Sequence, residues 1–213
     1  MDWSINNKVV IALDSVVYIW DATHGTIHTV GKKQEIGNVC SLKWSSDGSY
    51  LGIGTKAGET QIWDIDKNKK LRTIIVEEDN STKVDIGNQT KLKVKSELET
   101  SESNSKQLIK SRVGCLSWNK NILTSAFSNG MLYHNDVRVK NSLIQSIQAH
   151  EDTICGLKWR SDGEYLASGG NDNLIKLWEL KSSKPYMVKA DHNSAIKVKV
   201  SDYEYLLYKY CIY

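Results

Sequence analysis

One short phrase occurs four times in this chain, and the repetition constrains the fold more than any other feature of the sequence. The copies read YIWD at 18–21, QIWD at 61–64, YHND at 133–136 and KLWE at 176–179. The first two copies start 43 residues apart, and so do the last two. A second phrase, with leucine two residues before a tryptophan, precedes three of them at 41–44, 115–118 and 156–159. Self-similarity at a fixed period indicates a repeat architecture.

The best-formed repeat, at about 149–189, predicts four short strands. Residues 153–159 alternate around apolar positions, a Ser-Asp-Gly turn follows at 161–163, and further strand patterns cover 165–168 and 174–180. Residues 186–188 can supply an outer strand. Four short strands in a unit of ~40–45 residues are typical of the blades of a WD-repeat β-propeller. The predicted fold is therefore all-β, and the predicted class is a binding scaffold.

The repeat divides the chain into about four blades. They are predicted as a partial blade 1 at 1–36, blade 2 at 37–76, blade 3 at 111–148 and blade 4 at 149–190. Residues 191–213 are expected to begin a fifth blade and to end in a tail that does not fit the repeat.

Blades 2 and 3 are separated by an insertion. Trp44 and Trp118 are 74 residues apart, whereas Trp118 and Trp159 are 41 apart. The extra residues lie within 77–110, a segment without aromatic residues and rich in Ser, Thr, Asn, Lys and Glu. Such a composition cannot bury enough apolar surface to order itself, so we expect a disordered insertion. It is either a solvated loop or a regulatory loop phosphorylated at sites such as Ser96 and Ser101.

Composition excludes several classes of function. The net charge of +3 is small, and the basic residues are spread along the chain. Both features argue against a nucleic-acid partner. No stretch approaches ~18 apolar residues, so no membrane span is expected. The four cysteines, Cys40, Cys115, Cys155 and Cys211, form no Cys-x-x-Cys pair, and we expect buried thiols without metal or disulfide. A reducing compartment fits this usage.

Four polar or aromatic residues of blade 4 stand where WD repeats place a hydrogen-bonded tetrad. They are His150, Ser168, Asp172 and Trp178. A catalytic function of the histidine, serine and aspartate is the alternative, but a satisfied buried network explains the same residues. The sequence has no phosphate-binding glycine loop, nucleophile elbow or metal-ligand spacing. We therefore predict no catalytic residues, no metal, no cofactor and no enzymatic activity.

Longer stretches of the sequence resemble the fizzy family of cell-division-cycle activators. These stretches are SRVGCLSWN at 111–119, HNDVR at 134–138, CGLKW at 155–159 and LASGGNDN at 166–173. The resemblance covers about 1–197 apart from the insertion. The form DVRV at 136–139 favours the mitotic branch of that family.

The resemblance implies a substrate-recognition and activator subunit of the anaphase-promoting complex. The implied partners are subunits of that ubiquitin ligase, substrates that carry short degron motifs, and checkpoint proteins. Asn171 and Asn173 match the asparagines that bind a Lys-Glu-Asn degron, and Asp2 matches the aspartate that pairs with the arginine of a destruction box. Two simpler alternatives stay open: Asn171 shapes a turn, or Asp2 caps a strand. The implied location is nucleus and cytoplasm.

The family's propeller has seven blades, so the resemblance implies a truncated member with about four of the expected seven. An open array of blades leaves apolar faces uncovered. Two alternatives stay open beside the implied function. The chain is a generic WD-repeat interaction scaffold, or it is a non-functional truncated copy.

Overall fold

A computed structural model describes residues 1–32, 35–76, 111–200 and 207–211. The predicted insertion at 77–110, with Ser96 and Ser101, lies outside the described residues. No helix in the described part of the chain is both long and apolar enough to cross a membrane.

The described residues form four sheets of four strands each, here called blades 1 to 4. Blade 1 contains β1 (Asp2–Trp3), β2 (Lys8–Leu13), β3 (Val16–Asp21) and β4 (Thr26–Thr29). Blade 2 contains β5 (Val39–Trp44), β6 (Tyr50–Thr55), β7 (Glu59–Asp64) and β8 (Lys69–Ile75). Blade 3 contains β9 (Val113–Asn119), β10 (Ile122–Phe127), β11 (Met131–Asp136) and β12 (Leu143–Gln148). Blade 4 contains β13 (Ile154–Trp159), β14 (Tyr165–Gly170), β15 (Ile175–Glu179) and β16 (Met187–Lys189).

Every blade is an antiparallel meander in which consecutive strands pair with each other. Tight turns make this possible, as at Gly163, whose φ of +79° is readily available to glycine. A Cβ there would clash with the side chain of Asn119, which donates to the Gly163 carbonyl at 2.8 Å. The predicted all-β fold of WD-type blades, four of which are present, is confirmed.

The core of the molecule lies between blades rather than within them. Three separate apolar clusters join blade 1 to blade 2, blade 2 to blade 3, and blade 3 to blade 4. A single four-stranded sheet has two apolar faces and cannot cover either of them by itself, so neighbouring blades supply the cover.

A tryptophan near the end of the inner strand connects each blade to the one before it. Trp44, Trp118 and Trp159 are all buried, and each belongs to the cluster shared with the preceding blade. The Trp118 indole donates to the carbonyl of Lys43 at 3.0 Å, and the Trp159 indole donates to the hydroxyl of Thr124 at 2.9 Å. An indole N–H usually has a partner when it is buried, and in these two cases the neighbouring blade provides it.

Blade 1 exposes the face that blades 2 to 4 each bury. The exposed positions on this face are Trp3, Ile11, Leu13 and Trp20. Their counterparts by strand register in blade 2 are Trp44, Ile53, Thr55 and Trp63. Trp3 is 62% exposed, whereas Trp44 is 4% exposed. The face therefore has the composition of an interface between blades.

Beyond blade 4, a two-stranded hairpin consists of β17 (Ile196–Val200) and β18 (Leu207–Cys211). β17 lies against β13 and β14, as the inner strand of a following blade does. Ile196 is 1% exposed at this contact. The tail of 191–213, which was not expected to fit the repeat, thus contains the strand β18, which pairs with β17.

The thiols differ from the prediction. Cys40 is exposed, and Cys115 and Cys155 are half-buried and free, so the prediction of buried thiols is wrong for Cys40. Strand bulges at Cys40 and Cys155, which turn side chains away from the regular alternation, explain the difference for these two residues.

The two aligned tryptophans at 3 and 44 provide a test of how stability is distributed. We expect Trp44→Ala to lower the free energy of unfolding by about 3–5 kcal/mol, because it leaves a large cavity between blades 1 and 2. Trp3→Ala is the matched control and should change it by less than about 1 kcal/mol, because its ring is mostly solvated. Urea denaturation followed by circular dichroism measures both. Equal losses in the two variants would contradict the assignment of the core to the blade interfaces.

Candidate functional site

The four predicted tetrad residues form one continuous hydrogen-bonded chain in blade 4. The Trp178 indole donates to Ser168 Oγ at 2.8 Å, and Ser168 Oγ lies 2.7 Å from His150 Nε2. His150 Nδ1 lies 2.9 Å from both carboxylate oxygens of Asp172. Because the indole only donates, the serine hydroxyl is left to donate to Nε2, and Nδ1 then carries the proton given to Asp172.

Burial keeps the His150 side chain of this network uncharged at neutral pH. Burial lowers the pKa of His150, and the hydrogen bond that His150 donates to Asp172 offsets this only in part. For Asp172, burial raises the pKa, but the hydrogen bonds from His150 and from the amides of Leu174 and Glu151 outweigh it and lower the pKa overall. The pair at neutral pH is therefore an imidazole bound to a carboxylate.

The order Asp172–His150–Ser168 is also that of a hydrolase triad, so the catalytic alternative is decided by access. Ser168 is fully buried and His150 is 1% exposed. Ser168 Oγ already accepts the Trp178 N–H, and a nucleophile needs an open approach to a substrate carbonyl. In the described residues the Ser168 hydroxyl is buried and already hydrogen-bonded, and the network connects β14 and β15 to the loop that precedes β13.

What the network holds is the turn between β14 and β15. Asp172 accepts from the backbone amides of Glu151, at 3.3 Å, and Leu174, at 3.2 Å. It thereby connects the turn to the loop that precedes β13. The two predicted degron-binding residues, Asn171 and Asn173, flank this buried anchor.

The two asparagines differ in their surroundings. Asn171 is exposed. Its backbone N–H donates to the Thr153 carbonyl at 2.9 Å, and its side-chain oxygen accepts from the Cys155 thiol at 2.9 Å. Asn173 has a φ of +61°, a conformation that asparagine tolerates better than most residues. Within the described segments its side-chain amide makes no hydrogen bond. Within the described residues, the side-chain amide of Asn171 is therefore hydrogen-bonded, whereas that of Asn173 is not.

Asp2, the third predicted binding residue, is in a different environment. One carboxylate oxygen accepts from Lys43 Nζ at 2.6 Å, and the other accepts from the Trp44 backbone amide at 2.8 Å. The Asp2 side chain is 15% exposed. Asp2 lies in blade 1 and the asparagines lie in blade 4, so the structure does not bring the three predicted binding residues together.

Two partners of the predicted residues, Lys43 and Cys155, were not identified from the sequence. Asp2 and Lys43 hold the same position in consecutive repeats, one residue before Trp3 and Trp44. An aspartate in one repeat and a lysine at the same position of the next repeat carry opposite charges, and this pattern could have indicated the ion pair. For Cys155 the signal was its place four residues before Trp159, which the strand pairing turns into a bulge.

Among the residues that the structure describes, no group of three or more His, Cys, Asp or Glu side chains could hold a metal ion.

Comparison with known families gives two matches. Residues 141–179 match the WD domain, G-beta repeat, and residues 6–121 match the anaphase-promoting complex subunit 4 WD40 domain.

Several characterised proteins are similar along most of the chain. WD repeat-containing protein slp1 of Schizosaccharomyces pombe is 39% identical over 92% of this chain and 34% of its own length. Cell division cycle 20.1, cofactor of APC complex, of Arabidopsis thaliana is 33% identical over 92% of this chain and 38% of its own. The APC/C activator protein CDC20 of Saccharomyces cerevisiae is 30% identical over 92% of this chain and 27% of its own.

The structure also resembles a chain in a crystal structure of the mitotic checkpoint complex. The TM-score is 0.74 at 38% sequence identity, and the match covers 93% of this chain and 51% of the other.

Removal of the central hydroxyl tests the tetrad. We expect Ser168→Ala to lower the free energy of unfolding by about 2–4 kcal/mol, because two buried nitrogen atoms lose their partner. Ser125→Ala is the matched control: Ser125 is also the fourth residue of its second strand and is 1% exposed, but makes no side-chain hydrogen bond within the described residues. Thermal and urea unfolding of both variants would measure the difference, and equal effects would contradict a network contribution.

Proposed function

The chain belongs to the fizzy family of cell-division-cycle WD-repeat proteins, and from this premise we propose that it recognises degron-bearing proteins for the anaphase-promoting complex. It spans about a third of the length of the curated relatives that it matches. The activity and the partners of those whole proteins therefore enter as proposals. The proposed partners are subunits of the complex, degron-bearing substrates and checkpoint proteins.

The observation that carries the proposal is the rigid turn of blade 4. Asp172 is fixed by the buried tetrad, and this fixes the backbone from which Asn171 and Asn173 project. Side-chain amides offer both donors and acceptors, so a pair of them suits a short peptide motif of mixed polarity. Because the turn is already ordered, binding costs little conformational entropy.

Charged groups of both signs influence Cys155, whose thiol contacts Asn171 in this turn. Asp152, Lys197 and Arg112 act electrostatically on the neighbouring Cys155. An acidic side chain of a bound peptide can approach the two cations, and a basic one can approach Asp152. This mixture supports a Lys-Glu-Asn motif, which carries one basic, one acidic and one amide side chain.

The proposed role is that of a binding subunit and not of an enzyme. The relatives carry the names cofactor and activator, and the one Ser-His-Asp arrangement in the described residues is inaccessible. We further propose nucleus and cytoplasm as the location, which free thiols at Cys40, Cys115 and Cys155 support.

Asn173→Gly tests the proposed peptide site without straining the turn. Glycine adopts the φ of +61° freely, and within the described residues the Asn173 side chain makes no hydrogen bond that could be lost. We expect the dissociation constant of a fluorescent Lys-Glu-Asn peptide to rise by roughly five- to ten-fold, at about 1 kcal/mol for a lost hydrogen bond. Fluorescence polarisation measures it, with a scrambled peptide as control. Unchanged affinity at unchanged melting temperature would favour a generic WD-repeat scaffold.

Lys43 provides a second test, at Asp2. A peptide guanidinium that reaches Asp2 must share the carboxylate with the Lys43 ammonium. We expect Lys43→Met to strengthen binding of a destruction-box peptide by roughly two- to five-fold, since a partly exposed ion pair is worth up to about 1 kcal/mol. Asp2→Asn should weaken it. If Asp2 serves only to cap the end of β5, both variants will bind the peptide as the parent chain does.

A further inference from the structure

The inner strands of blades 2, 3 and 4 each carry a bulge at the same repeat position. Strand pairing skips one residue in each case, and the skipped residues are Cys40, Gly114 and Cys155. All three stand four residues before the tryptophan of their blade. A bulge leaves one residue out of the regular alternation and redirects its side chain.

In blade 4 the bulge directs the thiol to the turn that bears Asn171. Cys155 Sγ lies 2.9 Å from Asn171 Oδ1 and 3.6 Å from the carbonyl of Thr153. A thiol has one proton, and the shorter contact to the amide oxygen takes it. The Asn171 backbone N–H donates to the carbonyl of Thr153, so Asn171 is held by its backbone and by its side chain.

The chemistry of the thiol suits a donor. Burial raises the pKa of the Cys155 thiol, with Asp152 acting in the same direction, so the proton is retained at neutral pH. Since the amide oxygen of Asn171 faces the thiol, its NH₂ group faces away. Asn171 therefore offers two N–H donors to a ligand.

The other blades lack this combination. The residue that corresponds to Asn171 by its backbone hydrogen bond to the start of the inner strand is Lys56 in blade 2 and Ser128 in blade 3. In blade 2 the bulge residue is again a cysteine, but Lys56 carries no amide side chain. Cys40 is thus a natural control for the effect of a thiol at a bulge.

We propose that Cys155 is a positioning residue that orients the Asn171 amide so that it donates hydrogen bonds to an acceptor group of a bound peptide. The inference rests on the proposed peptide-binding function of this turn. It adds a specificity: the group that meets Asn171 is a carboxylate or a carbonyl oxygen, and not an ammonium group.

The test is a double-mutant cycle with a fluorescent Lys-Glu-Asn peptide on the full chain. Cys155→Ala is expected to raise the dissociation constant by about two- to ten-fold, the range for one hydrogen bond. Cys155→Ser keeps a donor and should bind as the parent chain does, and so should the control Cys40→Ala. In an Asn171→Ala background, Cys155→Ala should have no further effect.

A spectroscopic readout accompanies the cycle. The S–H stretching band of Cys155, assigned by its loss in Cys155→Ala, should move to higher frequency in Asn171→Ala, because a donating thiol has a weaker S–H bond. A purely structural effect of Cys155 would leave this band in place.

The outcomes separate the two proposals. Failure of the parent chain to bind the peptide would overturn the proposed function and with it the role of the thiol. Binding that Asn171→Ala weakens and Cys155→Ala leaves unchanged would overturn the role of the thiol alone. Equal losses from Cys155→Ala in the parent and Asn171→Ala backgrounds would do the same.

Discussion

In blades 2 to 4, one tryptophan of the inner strand packs against the preceding blade, and this contact holds successive blades together. A four-stranded antiparallel sheet of this size has apolar residues on both faces and no means of burying them alone. Trp44, Trp118 and Trp159 fill the space between successive blades, and the backbone or a hydroxyl of the neighbouring blade satisfies the indoles of Trp118 and Trp159. Stability is therefore a property of pairs of blades. The same reasoning explains the exposure of Trp3, because no other blade among the described residues packs on that face of blade 1.

The tetrad of blade 4 extends this rigidity from the core to the surface. Its hydrogen bonds run from the buried Trp178 through Ser168 and His150 to Asp172, in the turn between β14 and β15. A chain of donors and acceptors that is fully satisfied in a low-dielectric interior fixes its members strongly. The groups are those of a hydrolase triad, but Ser168 and His150 are buried and already hydrogen-bonded. Beside Asp172 lie Asn171 and Asn173, the two asparagines proposed to bind a peptide, on a turn that these hydrogen bonds hold in place.

Two of the three residues proposed to bind peptides, Asp2 and Asn171, already have side-chain partners within the chain, and these partners influence what they can bind. Lys43 shares the carboxylate of Asp2, so a ligand there competes with an internal cation. The Cys155 thiol takes the acceptor of Asn171, so a ligand there meets donors. Asn173 alone among the three has an unengaged side chain within the described residues.

The repeat, the strands and the tetrad could be predicted from the order of the amino acids, because these features depend on local alternation and on residues within one repeat. The period of about 43 residues and the final Trp-Asp phrase predicted the four-stranded blades, and His150, Ser168, Asp172 and Trp178 could be identified by position. The contacts between side chains across blades and at bulges could be identified only from the three-dimensional structure. The ion pair of Asp2 with Lys43 joins two blades, and the contact of Cys155 with Asn171 depends on a single skipped residue in strand pairing. The exposure of Cys40, wrongly predicted as buried, has the same origin. Alternation along a strand does not reveal a bulge, since one inserted residue reverses the side to which a side chain points.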